Sequence, residues 1–282
     1  MILRPFQLND RIWIERCRDP KQNPFSALSF PSLFAWSKTY GLTIAANEGA
    51  FAIHSVHDKA FYCPCGSEDA CTALVRQIEQ TEEHPHIIYL TYEQAERFER
   101  DGWKIHLRDD LSEYLASTSA LALRSGHASN SYKMKCRHFQ QKFTYNAWML
   151  GDADLPELKA LAAGQLVDDR ENKIGDLDVL NTELDMFHIL SLEGLMIRTT
   201  EGKEAFILGF ENSPGMFTMT MAKHDPSLPR ETTAVLVHEL SKRMDDRYPQ
   251  INLEEDLGIK GLRQAKMLYS PLSQLKVYVA EK

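Results

Sequence analysis

The chain repeats itself, and the repeat limits the folds open to it. Gly41-Leu42 returns as Gly194-Leu195 and Glu48-Gly49 as Glu201-Gly202, each 153 residues later. Phe51-Ala52-Ile53 is matched by Phe206-Ile207-Leu208 at an offset of 155, and His84-Pro85-His86-Ile87 by Tyr248-Pro249-Gln250-Ile251 at 164. The order is kept while the offset grows by loop-sized steps, as expected of two copies of one supersecondary unit.

Both copies read as the same series of elements. In the first, a strand at Ile2 to Pro5, a short helix carrying Phe6, Ile12, Trp13 and Ile14, and an aromatic helix over Phe25 to Tyr40 lead into a hairpin. Its strands hold Leu42, Ile44, Phe51 and Ile53 about an Asn47-Glu48-Gly49 turn. A strand at Phe61-Tyr62, a helix capped by Ser67, a strand at Ile87 to Leu90, a helix near Tyr92 to Arg100 and a strand around Trp103 to Leu107 follow. In the second, Asp154-Leu-Pro-Glu157 reads as a capping signature that opens a helix to about Val167, with another helix near Leu177 to Leu190. A hairpin about Glu201-Gly202-Lys203, a strand at Met216 to Ala222, a helix over Arg230 to Met244 and a strand at Pro249 to Leu253 complete it. The expected class is therefore α/β (α+β), with two units, each a mixed, mainly antiparallel sheet flanked by helices. This order suits acetyltransferase-like (GNAT-like) folds. The domains are expected at residues 1–125 and 126–282, with the switch between Leu111 and Thr144.

Composition narrows the function classes. With 43% hydrophobic and 26% charged residues, 282 residues suit one large or two ordinary globular domains. No apolar run nears the roughly 20 residues that span a bilayer. The N-terminus has neither a secretory nor a transit pattern, so a cytoplasmic location and no stable membrane insertion are expected. A net charge of −8 excludes a global field that draws in nucleic acid or an anionic membrane, although a local basic patch stays open. Five cysteines, odd in number and unevenly spaced, do not make a disulfide framework. Cys63-Pro-Cys65 with Cys71, downstream of His54 and His57, has the ligand types of a zinc site but not the order of its paired arms, so no metal is expected.

Familiar catalytic motifs are missing. There is no G-x-S-x-G, no G-x-x-x-x-G-K-[ST] and no G-x-G-x-x-G after a strand. The [QR]-x-x-G-x-[GA] loop with which acetyltransferases hold coenzyme A is found neither at Cys63 to Gly66 nor at Lys223 to Pro229, which argues against ordinary acetyl-CoA chemistry.

Two segments carry the candidate chemistry. Tyr132 to His138 supplies Lys133, Lys135 and Arg137, followed by Lys142. The segment reads either as a solvated helix face or as a patch for the phosphates of a nucleotide, a tRNA or a lipid headgroup. Ile251 to Pro271 is denser, with Asn252, the acids Glu254, Glu255 and Asp256, Gly258 and Gly261, then Arg263, Lys266 and Tyr269. Carboxylates at the end of a buried strand can orient an amine or take its proton, and Arg263 and Lys266, three apart on a helix, can clamp a carboxylate or phosphate. Lys223 on the neighbouring strand is expected to reach the same cleft. The competing account is that the acids cap the helix and pair with Arg263. The first copy, with Thr91-Tyr-Glu-Gln94 at the same place, has none of these groups.

Asn252-Leu-Glu-Glu-Asp-Leu-Gly258, Gly261-Leu-Arg263, Ala265-Lys266 and Tyr269-Ser-Pro271 resemble the C-terminal signature of the phosphatidylglycerol lysyltransferase C-terminal-like family. Weaker likeness runs through Pro24 to Trp36, Phe61 to Gly66, Gly126 to Phe139 and Gly209 to Lys223. The chain departs at Leu253, where members often carry Arg, at Leu268, where they carry Ser, and at Cys136, which interrupts the basic segment. The resemblance implies two tandem acetyltransferase-like domains and aminoacyl transfer from tRNA to a hydroxyl or amine.

The expectation is thus an acyl or aminoacyl transferase with its site in the second domain. The donor is aminoacyl-tRNA or acyl-CoA and the acceptor a small molecule or a lipid headgroup. Glu255, Asp256 and Asn252 are the catalytic candidates. Arg263, Lys266, Lys223, Glu254 and Tyr269 would bind substrate, and Lys133, Lys135 and Arg137 phosphate or tRNA. The alternatives are a non-catalytic binding or sensor protein on the same fold and a CoA-dependent N-acyltransferase.

Overall fold

A computed structural model describes residues 1–126, 128–165 and 176–282. The chain forms two compact units, Met1–Glu113 with Leu275–Lys282, and Tyr114–Gln274. The end of the chain belongs to the first unit because the strand Ser273–Glu281 pairs antiparallel with His86–Leu90, Tyr278 opposite Leu90 and Ala280 opposite Ile87.

In the first unit the helix Phe30–Tyr40 begins where the Ser29 side chain accepts from the Ser32 N–H. It ends at Gly41, whose left-handed φ of 61° turns the chain into the hairpin. Leu42–Asn47 and Ala50–Ser55 pair antiparallel, and Ala60–Tyr62 adds to the second of them. The helix Glu68–Thr81 then crosses over, and His86–Leu90 returns parallel to Ala60–Tyr62, Tyr62 beside Ile88. Leu74 and Ile78 of the crossover helix pack on Phe61 and Ile87. The helix Tyr92–Arg100 starts with a reciprocal cap: Gln94 N–H donates to Thr91 Oγ1 at 3.3 Å and Thr91 N–H to Gln94 Oε1 at 2.8 Å.

The second unit runs through the same steps. Glu193–Thr199 and Glu204–Ser213 form the hairpin, and Met216–His224 pairs antiparallel with the latter. The helix Thr232–Met244 crosses over, and Gln250–Asn252 returns parallel to Met216–Thr218. Tyr145–Met149 closes one side of this sheet, and Leu115–Ser117 pairs with Gln250–Asn252 on the other. The core on one face joins Leu195, Ile197, Ile207, Phe217 and Ile251 to Val235, Leu236 and Leu240 of the crossover helix. Tyr132, Cys136 and Phe139 of the helix Asn130–Lys142 enter the same core.

Several local expectations change. The strand expected around Trp103 to Leu107 extends over Lys104–Ser117, and the polar run Arg108-Asp109-Asp110 in its middle hides its length from a hydrophobic pattern. Asp154 does not act as the cap of a D-x-x-E signature. Its carboxylate accepts from the Gly151 N–H at 2.8 Å and the Trp148 indole at 3.2 Å, while Glu157 pairs with Arg198. The helix starting there is Leu155–Gln165, so its expected end at Val167 lies outside the described residues. The next helix stops at Asp185 rather than Leu190.

One irregularity shapes the second unit. Leu208 lies opposite Met221 but Gly209 opposite Met219, so Thr220 is an extra residue in its strand, a β-bulge. A Cβ on Gly209 would sit 2.1 Å from the Thr218 carbonyl oxygen and 2.5 Å from the Phe217 ring. Gly209→Ala is therefore expected to destabilise the protein by about 3 kcal/mol through overpacking at the bulge. Urea titration of wild type and variant checks this, and an unchanged midpoint would contradict the close approach.

Candidate functional site

The parallel pairing of Met216–His224 with Gln250–Asn252 stops at Thr218 and Asn252. Paired residues in register point to the same face. Thr218 and Asn252 thus stand side by side on the face opposite Phe217 and Ile251. Both are fully buried, and the Thr218 and Thr220 hydroxyls are buried without a hydrogen-bond partner among the described residues. Orphaned buried hydroxyls are rare and mark places where a ligand can complete the bonding.

Beyond Asn252 the backbone turns sharply, with φ of 60° at Glu254, 51° at Leu257 and 71° at Gly258. Glycine adopts this region freely, whereas Glu and Leu are held there only by surrounding structure. The holding bonds are specific. Asn252 Oδ1 accepts from the Glu254 N–H at 2.8 Å, Tyr114 N–H donates to the Glu254 carbonyl at 3.2 Å, and Leu253 N–H to the Tyr114 carbonyl at 2.8 Å.

At the centre of the turn lies Asp256, fully buried. Its carboxylate accepts from the Tyr114 hydroxyl at 2.6 Å, the Gly258 N–H at 2.8 Å, and Arg263 through Nε at 2.6 Å and Nη2 at 3.3 Å. Burial alone would push the Asp256 carboxyl up, but the bonds from Arg263, Tyr114 and Gly258 prevail and hold it below the usual carboxylate range. Burial and the neighbouring Asp256 push the Tyr114 phenol up, and the Asp256 hydrogen bond raises the Arg263 guanidinium. Arg263 is half-exposed. Since it meets Asp256 through its Nε/Nη2 edge, the Nη1 side of the planar fork is turned toward other partners.

These positions divide the expected residues. Asn252, Glu254, Asp256 and Arg263 are brought together, and Glu255 sits half-buried between them in the chain. Asp256 and Arg263 pair directly, as the competing account held, but no side chain caps the helix Lys260–Leu268; a carboxylate with three donors and a lowered pKa suits holding a cation better than taking a proton. Lys266 donates from Nζ to the Leu253 carbonyl and so ties the helix Lys260–Leu268 to the strand end. Tyr269 is in the core, its ring edge-on to Tyr132 at 5.6 Å. Lys223 lies five residues past Thr218 on its strand and makes no hydrogen bond or ion pair with the others. Lys133, Lys135 and Arg137 lie on the helix Asn130–Lys142, and none is in an ion pair among the described residues. Tyr114 and Thr218 escaped the sequence reading: Tyr114 is 142 residues from Asp256 and no motif marks either.

In the first unit Cys65 Sγ contacts the Cys63 carbonyl at 3.5 Å and Cys71 Sγ the Pro64 carbonyl at 3.4 Å. Burial pushes the Cys71 thiol up to about 11. Among the described residues no group of three or more His, Cys, Asp or Glu is placed to hold a metal ion. No described helix is long and apolar enough to cross a membrane.

The model of the phosphatidylglycerol lysyltransferase, C-terminal, family matches residues 21–281, a span that includes the whole Asp256 turn. The chain belongs to this family. Among solved structures, a conserved protein of unknown function from Bacteroides thetaiotaomicron superposes with a TM-score of 0.85 at 23% identity, covering 100% of this chain and 99% of that one. The C-terminal domain of a putative lysylphosphatidylglycerol synthetase from Agrobacterium fabrum gives 0.69 at 14% identity, covering 97% and 91%. A tandem GNAT protein from the clavulanic acid biosynthesis pathway gives 0.51 at 9% identity, covering 99% and 98%. The fold is therefore GNAT-like, and the family places the chain among acyl and aminoacyl transferases in general. No curated protein sequence matches it.

The Asp256 pair makes a stability prediction with a definite sign. A carboxyl whose folded pKa lies below its unfolded value of about 3.8 adds stability above that value, and the contribution is lost as pH falls through the folded pKa. At pH 7 Asp256→Asn is expected to be less stable by about 2 kcal/mol, because charge-assisted bonds to Tyr114 and the Gly258 N–H are weakened. Below about pH 4 the difference should shrink. Denaturant titrations at pH 7 and pH 3 measure it, and a gap that widens in acid would contradict the assignment.

Proposed function

We propose that the chain is an aminoacyl transferase that moves an aminoacyl group from tRNA to an amine or hydroxyl acceptor, with its site in the second unit. The observation that carries this reading is the place where Met216–His224 and Gln250–Asn252 part, with unbonded Thr218 beside Asn252 and a buried carboxylate holding Arg263 at the following turn. Family membership supplies the reaction class.

The donor follows from charge. Coenzyme A needs a cradle of backbone N–H groups for its pyrophosphate at the start of the crossover helix. Here that loop is Asp225 to Glu231, with prolines at 226 and 229. Asp225 accepts from both the Ser227 N–H and hydroxyl, which lowers its pKa and keeps it ionised. The loop sets two carboxylates against one cation, Arg230, and its two prolines lack the N–H groups a pyrophosphate cradle needs, which favours a donor whose phosphates bind elsewhere.

In the proposed reaction the acceptor nitrogen or oxygen attacks the ester carbonyl carbon of the aminoacyl group. A new C–N or C–O bond forms, the ester C–O bond to the ribose breaks, and the acceptor's proton passes by way of Glu255 to the leaving ribose oxygen. The Nη1 side of Arg263 binds donor phosphate or the developing oxyanion, and its fixed orientation spares reorganisation in the transition state. Asn252 and the Thr218 hydroxyl position the donor carbonyl, and Lys223 reaches the far end of the cleft. Asp256 is a positioning residue that acts through Arg263. Each unit would be an acetyltransferase-like domain, with the chemistry in the second.

The test is transfer of a labelled amino acid from charged tRNA to a panel of amines, polyols and phosphatidylglycerol. Wild type is expected to transfer the label, Arg263→Ala to lose at least about 100-fold and Thr218→Val about tenfold. Transfer from acyl-CoA but not from charged tRNA, or full activity of Arg263→Ala, would overturn the proposal.

A further inference from the structure

The first unit has its own parting of strands. The parallel pairing of Ala60–Tyr62 with His86–Leu90 stops at Tyr62 and Ile88, as Thr218 and Asn252 end the pairing in the second. Phe61 packs in the core, so Tyr62 points to the other face of the sheet. After Ile88 comes Tyr89, whose φ of 62° is disfavoured for so large a side chain and is held there by its surroundings. Its ring meets Tyr62 edge-on at 4.9 Å and Phe25 at 6.0 Å. At this corner the first unit builds a wall of rings.

Two opposite charges stand at this wall without pairing to each other. Asp58 Oδ2 accepts from the Tyr62 hydroxyl at 2.9 Å and from the Ser55 hydroxyl at 2.7 Å. Ser55 Oγ in turn accepts from the Asp58 N–H at 3.0 Å, so the carboxylate is held in one orientation. Its other oxygen, Oδ1, has no hydrogen bond and Asp58 no ion pair among the described residues, although the residue is partly buried. Arg108, half-exposed, grips Asp110 through Nε at 2.9 Å and Nη2 at 2.7 Å, and its Nη1 bonds to no described residue. The Asp110 hydrogen bond raises the Arg108 guanidinium against the effect of burial, and the charges of Asp110, Tyr89 and Asp58 add to the rise. Arg108 thus lies in the field of Asp58 and Tyr89 without an ion pair to the Asp58 carboxylate. All of these residues belong to the first unit.

We infer that this corner of the first unit binds a free α-amino acid, its ammonium on Asp58 Oδ1 and its carboxylate on the Nη1 side of Arg108. A zwitterion brings the two charges that the gap between Asp58 and Arg108 lacks, and each gains a charge-assisted hydrogen bond. The Tyr62 and Tyr89 rings keep water from one side of the ligand, which strengthens both bonds. Other occupants fit less well. A lone anion on Arg108 would also face the Asp58 carboxylate. A metal ion has too few ligands, since no group of three or more His, Cys, Asp or Glu among the described residues is placed to hold one. The inference does not depend on the transfer reaction: the first unit binds the amino acid whether or not the second moves an aminoacyl group.

The experiment is isothermal titration calorimetry of the purified full chain with each of the common L-amino acids, followed by the N-acetyl derivative and the amide of the best binder. At least one amino acid is expected to bind at a single site per chain. Each derivative lacks one of the two charges and should bind at least about tenfold more weakly. Asp58→Asn and Arg108→Gln should each weaken the parent amino acid by a similar factor. Asn at position 58 keeps an acceptor for the Tyr62 hydroxyl, and thermal melting confirms that each variant is folded. Should Asp58→Asn melt early, the N-acetyl derivative, which removes the matching charge from the ligand, carries that arm of the test. Absence of binding by every amino acid, derivatives that bind as well as their parent, or unchanged affinity in either folded variant would each overturn the inference. So would binding that is lost in Arg263→Gln and kept in Asp58→Asn, since the amino acid would then sit in the second unit.

Discussion

The turn that sets the second unit apart from the first depends on one buried carboxylate. Asp256 sits at a turn where Glu254 and Leu257 take backbone conformations that side chains disfavour. It gathers a phenol from Tyr114, a backbone N–H from Gly258 and a guanidinium from Arg263. Removing a carboxylate from water is costly unless its lone pairs are filled, and here all the donors come from the chain itself. The same bonds that offset the burial also fix Arg263 in one orientation. Structure and chemistry therefore share a single interaction.

The two units make the point by contrast. Both have the hairpin, the crossover helix and a strand that returns parallel to its neighbour. In the first, His86–Leu90 runs into the reciprocal Thr91/Gln94 cap and a helix with no buried acid to organise it. In the second, the returning strand runs into the Asp256 turn. Of two units with the same succession of elements, one thus has this corner closed by ordinary helix capping and the other by a buried carboxylate paired with Arg263. Within the second unit the loop Asp225 to Glu231 carries two carboxylates and one cation, Arg230, while residues 257–274 carry three cations and no acid.

Much of this was legible in the residues. Glycine turns between alternating apolar strands gave both hairpins, and the D-L-G and G-L-R runs marked the turn and the helix after it. What the sequence could not show was pairing at a distance. Whether Arg263 faces a ligand or Asp256 depends on the turn geometry, and spacing leaves both open. The part played by Tyr114 depends on Leu115–Ser117 lying beside Gln250–Asn252, a non-local pairing. The length of Lys104–Ser117 was hidden because its middle is polar, and Tyr269 looked like a site residue because an aromatic after two cations suits a core as well as a cleft.

On the proposed function, Asp256 acts on the donor only through Arg263, and a double-mutant cycle on donor binding separates this from independent contacts. Affinity for aminoacyl-tRNA would be measured by titration for wild type, Asp256→Asn, Arg263→Gln and the double variant. If the carboxylate only positions the guanidinium, the double variant should bind no more weakly than Arg263→Gln alone, a coupling of about 1 kcal/mol or more. Fully additive losses would mean that the two residues meet the donor independently, and would contradict the account.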